Sequence, residues 1–185
     1  DNDQRRKGRE HCEDLWQDFR ELADEHFLAE FPLHLHERWF EMYLTVALKR
    51  AGYNVQCPKP GPDILLTINE QRIWIEATCA SAGEAGLPDS VPARSIPNAD
   101  EPPVVTSRPT SQMTLRITSR LSDKQKQFKD WIKNKIVADT DVTVVAINID
   151  AIPNAWPDID DLMTRALYGL GDIQLTIDPV SNTVV

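Results

Sequence analysis

Several acidic side chains lie within apolar stretches of this chain. A carboxylate that becomes buried limits the folds that the chain can adopt. Glu76 ends the apolar run 73–75, which predicts a strand. Glu37 and Glu41 fall on the apolar stripe of a helix predicted over 36–51, counting about 100° per residue. An unpaired buried charge is very costly. The fold must therefore bring partners to these carboxylates, which makes them candidate functional residues.

The order of the predicted elements indicates an α/β protein. Six segments with helical or strand patterns follow one another as helix, three strands, helix and strand, at 36–51, 53–57, 63–68, 72–78, 114–137 and 142–149. The last of these is a continuous apolar run, typical of a central strand buried on both faces. A helix over 9–31 precedes the series. A helix over 158–170 and a short hairpin of 173–177 with 183–185 follow it.

The length of 185 residues favours a single domain spanning 1–185. Residues 1–35 form an N-terminal helical extension in this interpretation. Residues 79–111 form a long loop that holds six of the thirteen prolines. Loops of this length are usually functional or disordered, so both a substrate-contacting loop and a poorly ordered insertion are left open.

Charge, apolar runs and cysteine content indicate which partners and which cellular compartment to expect. The formal charge is −9, yet residues 115–136 carry seven bases against two acids. A basic element on an acidic body fits phosphate binding at one face, although a solvated helix face is the more common explanation. No apolar run approaches the ~20 residues that span a bilayer, so no membrane partner is expected. Three widely spaced cysteines argue against a disulfide framework and for a reducing, cytoplasmic setting.

Carboxylates from different elements are predicted to converge. Asp63 begins one strand and Glu76 lies near the end of its hairpin partner, and antiparallel neighbours bring such ends together. Glu41, facing inward on the preceding helix, adds a third carboxylate, and the carbonyl of Ala77 is a further candidate ligand. Oxygen ligands suit Mg²⁺ or Mn²⁺, which can activate water and neutralise charge on a phosphodiester.

This arrangement resembles the PD-(D/E)xK nuclease superfamily, whose fold is restriction-endonuclease-like. The matching stretches are Phe40-Glu41, Ala51-Gly52-Tyr53, Gly61-Pro62-Asp63 and the run 73–78. The resemblance covers roughly 37–150. It implies an αβββαβ core with a central mixed sheet flanked by helices, here with an extra N-terminal helix. It also implies that Asp63 and Glu76 bind Mg²⁺ or Mn²⁺, with Glu41 as an accessory ligand.

One residue departs from the family pattern. Thr78 stands where the family has a lysine that orients the attacking water. Lys124 falls on the inward stripe of the next helix and is our candidate replacement, with Lys59 a weaker one. Gln125 or Gln127 is expected to contact phosphate or water nearby. The alternative is that the chain has lost catalytic activity because the lysine is missing.

Three functional hypotheses follow. The first is a metal-dependent nuclease acting on DNA, with RNA as substrate and a homodimer left open. The second is a catalytically inactive nuclease-like domain that binds nucleic acid or protein. The third is an unrelated α/β domain in which Asp63 is a turn residue, Glu41 pairs with an arginine and Lys124 extends its ammonium to solvent.

Overall fold

Five helices and four strands make up the part of the chain that the structure, a computed structural model, describes: residues 2–93, 108–155 and 159–171. In chain order they are α1 (Asn2–Phe19), α2 (Phe27–Glu30), α3 (Leu35–Arg50), β1 (Val55–Gln56), β2 (Ile64–Ile68), β3 (Gln71–Ser81), α4 (Thr110–Lys133), β4 (Val142–Ala151) and α5 (Ile159–Tyr168). None of these helices combines the length and the apolar character that crossing a membrane requires.

The four strands form one mixed sheet in the order β1-β2-β3-β4. The first three are antiparallel neighbours, and β4 lies parallel to β3 after the crossover through α4. A parallel connection needs such a crossover, whereas the antiparallel pair β2–β3 closes with a short turn. The predicted mixed α/β architecture with flanking helices is therefore confirmed.

The sheet lies between α3 and α4. On one face, Ile64 and Ile75 pack with Leu44 of α3. On the other face, Trp74 packs with Phe128 of α4. Successive side chains of a strand point to opposite faces, so the alternation along β3 assigns each of its residues to one helix or the other.

The N-terminal extension folds back on α3 as two helices. Phe19 of α1 and Phe27 of α2 are fully buried beside Met42 of α3. The prediction of one helix over 9–31 is wrong. The carboxylate of Asp24 accepts a hydrogen bond of 2.8 Å from the backbone N–H of His26, a local bond that competes with helix continuation.

The loop predicted over 79–111 is shorter at both ends. Cys79 is buried and pairs with β4, so β3 continues to Ser81. The following helix begins at Thr110 rather than at 114. Arg116 of α4 holds the first part of the loop, donating to the carbonyl of Ser81 at 3.0 Å and to Asp89 at 2.7 Å. Residues 94–107 lie outside the described part.

The strand β4 was predicted to be a central strand, but it is an edge strand among the strands described. Within the described residues it pairs with β3 alone and so lies at the edge of the sheet. Val142 and Val144 at its start are 43% and 38% exposed. The run is apolar because Val145 and Ala146 pack on opposite faces of the sheet, which sequence alone does not distinguish from a central position. The predicted hairpin of 173–177 and 183–185 lies outside the described residues.

The β2–β3 turn gives a stability prediction. Its two central residues, Asn69 and Glu70, have φ of 50° and 67°, the positive values that two-residue hairpins of type I′ require. Glu70 is strained there because an L side chain crowds the backbone. Glu70→Gly should raise the free energy of unfolding by about 0.5–1 kcal/mol, measured by urea denaturation. Glu70→Ala is the control; an equal gain in both variants would contradict this account.

Candidate active site

Glu76 is a buried carboxylate in the middle of β3. It is 4% exposed and shares the sheet face of Trp74, which α4 covers. Its Oε1 accepts a hydrogen bond of 2.7 Å from Lys124 Nζ, and its Oε2 accepts one of 3.3 Å from the backbone N–H of Asp63. Burial and then the charge of Asp63 raise the pKa of Glu76 to about 7, although the ammonium of Lys124 opposes the increase. This carboxyl therefore titrates near neutral pH.

Asp63 lies opposite Glu76, immediately before β2. The antiparallel register of β2 and β3 brings the two positions together. Asp63 Oδ2 accepts a hydrogen bond of 2.9 Å from the backbone N–H of Ala77. Because Glu76 in turn accepts from the N–H of Asp63, each carboxylate is held by the backbone of the other strand. The two acids that the sequence singled out thus lie together on one hairpin.

Lys124 reaches this pair from α4. Its side chain is 19% exposed, and besides Glu76 its ammonium donates to Gln127 Oε1 at 3.2 Å. Lys126, two residues further on, is 74% exposed and points away. Thr78, at the position where the nuclease pattern has its lysine, is buried at 2% exposure. The basic group beside Glu76 therefore comes from the helix rather than from the strand.

Glu41 is buried on α3 and paired with an arginine. It is 6% exposed, and its Oε2 accepts a hydrogen bond of 2.8 Å from Arg38 one turn earlier. Arg38 also donates to Glu30 of α2 and lies 3.6 Å from Asp24. Burial and then the charge of Asp63 raise the pKa of Glu41, while Arg38 opposes the shift. The pairing with an arginine that the sequence left open for Glu41 is present.

Glu37, the other acid on the inner stripe of α3, has a different partner. Its Oε1 lies 3.1 Å from a guanidinium nitrogen of Arg120 on α4. This ion pair joins the two helices that flank the sheet. Glu37 is 41% exposed at the side chain, so it lies further from the protein interior than Glu41.

A cavity of about 280 Å³ connects these groups. Its walls come from α2 and the turn after it, α3, the residue before β2, β3 and α4, and they are formed by Glu30, His34, Glu37, Arg38, Glu41, Asp63, Glu76, Ala77, Thr78 and Lys124. All four predicted catalytic residues, Glu41, Asp63, Glu76 and Lys124, line it, as does the predicted ligand residue Ala77. The cavity is therefore the place where their chemistry would meet a substrate.

The donor set suits a hard divalent ion in type. Asp63 and Glu76 offer carboxylate oxygens, Ala77 offers a carbonyl, and Mg²⁺ in proteins often takes only one or two carboxylates and keeps waters. The charge of Asp63 raises the pKa of both Glu41 and Glu76, a repulsion that a cation would relieve. Across 2–93, 108–155 and 159–171, no group of three or more His, Cys, Asp or Glu side chains is arranged to hold a metal ion. Asp63, Glu76 and Ala77 are thus the residues that would bind one, with Glu41 engaged by Arg38.

Two basic residues contact carboxylates of the site in a way that the sequence did not predict. Arg38 was not singled out, although its spacing of three residues from Glu41 on a helix is a recognisable ion-pair signal. Lys59 was only a weaker substitute for the missing lysine, yet its ammonium lies 3.7 Å from Asp63 Oδ1. Its spacing of four residues from Asp63 is not informative in a proline-rich loop, where side-chain directions do not follow a period.

Comparison of the chain with protein-family models, with curated proteins and with solved structures gives no match. The case for a function therefore rests on the residues and geometry described above.

The ion pair of Arg38 and Glu41 gives a second stability prediction. Arg38→Met leaves a buried carboxylate without its guanidinium, which should cost about 2–4 kcal/mol in the free energy of unfolding. The double variant Arg38→Met/Glu41→Gln removes the charge as well and should recover part of that loss. Urea denaturation of both variants, with Glu41→Gln alone as the control, measures the coupling. If the double variant lost as much stability as the two single variants together, the charge of Glu41 would not be stabilised by Arg38.

The raised pKa of Glu76 gives a pH prediction. The unfolded chain releases this proton near pH 4.5 and the folded chain only near 7, so the folded state binds more protons between those values. Stability should therefore fall as pH rises from about 4.5 to 7, and Glu76→Gln should reduce that fall by up to about 3 kcal/mol. Thermal and urea unfolding of both proteins from pH 4 to 8 test this. Parallel pH profiles would mean that Glu76 has an ordinary pKa.

Proposed function

We propose that this chain is a Mg²⁺- or Mn²⁺-dependent nuclease with a restriction-endonuclease-like fold, and that it hydrolyses phosphodiester bonds in DNA. The observation that carries the proposal is the contact between Lys124 Nζ and Glu76 at 2.7 Å, beside Asp63 and within one cavity. A lysine next to two carboxylates is the set of groups that the nuclease pattern requires. Here the lysine reaches them from a different element.

The element order supports the same proposal. Helix α3, strands β1 to β3, helix α4 and strand β4 follow the sequence expected of the αβββαβ core. The two acids lie on the β2–β3 hairpin and the lysine lies on the next helix, α4. A fold of this class does not by itself determine an activity, so the proposal depends on the site.

Each residue of the site has a distinct role in the proposed reaction. Asp63, Glu76 and the carbonyl of Ala77 are the groups that would hold a divalent ion, and such an ion would supply an activated water and charge neutralisation on the phosphate. The ammonium of Lys124, held by Glu76 and Gln127, binds and orients the attacking water. Glu41 is the accessory carboxylate in this proposal: burial and the charge of Asp63 raise its pKa, and the guanidinium of Arg38 opposes that shift.

A binding module without catalytic activity is the second candidate function. Each of the three carboxylates already has a cationic partner, Arg38 for Glu41, Lys59 for Asp63 and Lys124 for Glu76. Thr78 has no charge to offer. Carboxylates that are paired in this way can belong to a fold without catalysing a reaction, and the domain would then bind nucleic acid or protein through its surface.

A cleavage assay separates the two candidates. Purified protein should cut supercoiled and linear duplex DNA in Mg²⁺ or Mn²⁺ and stop when EDTA is added. Asp63→Ala, Glu76→Ala and Lys124→Ala should each lower the rate by roughly 100-fold or more, because they remove metal ligands or the group that orients water. Lys126→Ala, on the same helix but 74% exposed, is the matched control and should retain activity.

The behaviour of the wild-type protein can also contradict the enzymatic proposal. Wild-type protein that leaves DNA intact in either metal, and whose melting temperature is unchanged by millimolar Mg²⁺, would contradict the enzymatic proposal. A bound ion should instead raise the melting temperature, since a ligand that binds only the folded state stabilises it. RNA of the same sequence, assayed in parallel, tests the choice of DNA.

A further inference from the structure

Lys59 lies on the loop between β1 and β2, beside Asp63 but outside the residues that line the cavity. Its ammonium is 3.7 Å from Asp63 Oδ1, at the outer limit of an ion pair, and its side chain is 42% exposed. Its charge also acts on Glu41: burial and the charge of Asp63 raise the pKa of Glu41, and Lys59 is among the cations that lower it. Lys59 is therefore within reach of both the carboxylates and the solvent.

The backbone that carries Lys59 is held in place. Gly61 has φ of +150°, and a Cβ at that position would lie 3.3 Å from both Ile136 and Trp74. Pro60 and Pro62 on either side have fixed φ, which removes much of the freedom of a loop. The ammonium of Lys59 is thus attached by a flexible side chain to a rigid anchor next to Asp63.

The three cations of the site differ in how firmly they are held. Arg38 contacts Glu30 and Asp24 as well as Glu41, and its side chain is 20% exposed. Lys124 is 19% exposed and bonded to both Glu76 and Gln127. Lys59 is more exposed than either, and among residues 2–93, 108–155 and 159–171 its ion-pair partner is Asp63, at the long distance given above. It is the cation that can change partner most readily.

We infer that Lys59 binds a phosphate of the nucleic-acid substrate, and that it does so after a divalent ion has taken its place beside Asp63. This inference rests on the proposed function. A divalent ion bound by Asp63 neutralises that carboxylate and repels the ammonium, while a phosphate at the cavity mouth attracts it. Metal binding and nucleic-acid binding are then positively coupled, and by linkage each tightens the other.

DNA affinity measured with and without a divalent ion tests this coupling. Fluorescence anisotropy of a labelled duplex is followed for wild type, Lys59→Ala, Lys59→Arg and the control Lys126→Ala, in EDTA and in Ca²⁺. In EDTA, Lys59→Ala should lose much less affinity than in Ca²⁺, because Asp63 competes with the phosphate for the ammonium of Lys59. In Ca²⁺ it should bind roughly five- to tenfold more weakly, and its plot of log K against log salt should lose about 0.9 of slope, the value for one phosphate contact.

The two remaining variants test whether the effect depends on the charge and on the position of Lys59. Lys59→Arg keeps the charge and should retain most of the Ca²⁺-dependent affinity. Lys126→Ala should match wild type in both conditions. Thermal unfolding of Lys59→Ala should stay within about 2 °C of wild type, since truncating an exposed side chain away from the core usually changes stability little.

Each contrary outcome has its own meaning. An equal loss of affinity in EDTA and Ca²⁺, or no loss in either, overturns the inference about Lys59. Wild-type protein that binds no duplex overturns it as well. Protein that binds duplex with the predicted dependence on Lys59 and Ca²⁺, but cuts nothing in Mg²⁺ or Mn²⁺, contradicts the proposed nuclease activity and supports the role of Lys59 in binding.

Discussion

The ion pair between Glu76 and Lys124 is the interaction on which the arrangement of this domain depends. A carboxylate on an interior strand is tolerated only with a compensating charge, because its desolvation is otherwise too costly. Lys124 supplies that charge from α4, 48 residues further along the chain. The same face of α4 carries the buried Ile117 and Phe128, so Lys124 points toward the sheet together with the apolar side chains of the helix. The ion pair also places a cation where the hairpin of β2 and β3 presents Asp63 and the backbone of Ala77.

The same requirement explains why charges gather in one cavity. Glu41 and Glu76 each experience the charge of Asp63, and both have raised pKa values as a result of burial and of that charge. Three cations from three different elements, Arg38, Lys59 and Lys124, offset the repulsion. The offset is partial, since both pKa values remain raised. A further cation beside Asp63 would reduce this repulsion and compete with the ammonium of Lys59, which is the exchange that we propose.

Much of the local structure was predictable because it follows from short-range patterns. A period of 3.6 residues put Glu41 on the inner stripe of α3 and Lys124 on that of α4, and the continuous apolar run before Glu76 indicated a buried strand. Longer-range features were not predictable in this way. The contact of Arg38 with Glu30 depends on the turn that Asp24 makes after α1, and the edge position of β4 depends on which strands pair. The strands predicted over 63–68 and 72–78 located the β2–β3 turn to within one residue, since Gln71 belongs to β3. The turn has no glycine and so no strong signal of its own.

The folded-back N-terminal extension has a consequence for where this domain can be divided. Phe19 and Phe27 cover Met42 of α3, and Asp24 and Glu30 hold the guanidinium that neutralises Glu41. The nuclease-like pattern spans only about 37–150, and a fragment cut to that pattern would keep Glu41, Asp63, Glu76 and Lys124. It would nevertheless expose the underside of α3 and leave Arg38 without two of its three carboxylates. A fragment that keeps the site intact must therefore be longer than 37–150. It has to include the N-terminal extension, because the carboxylates there hold Arg38 in place beside Glu41.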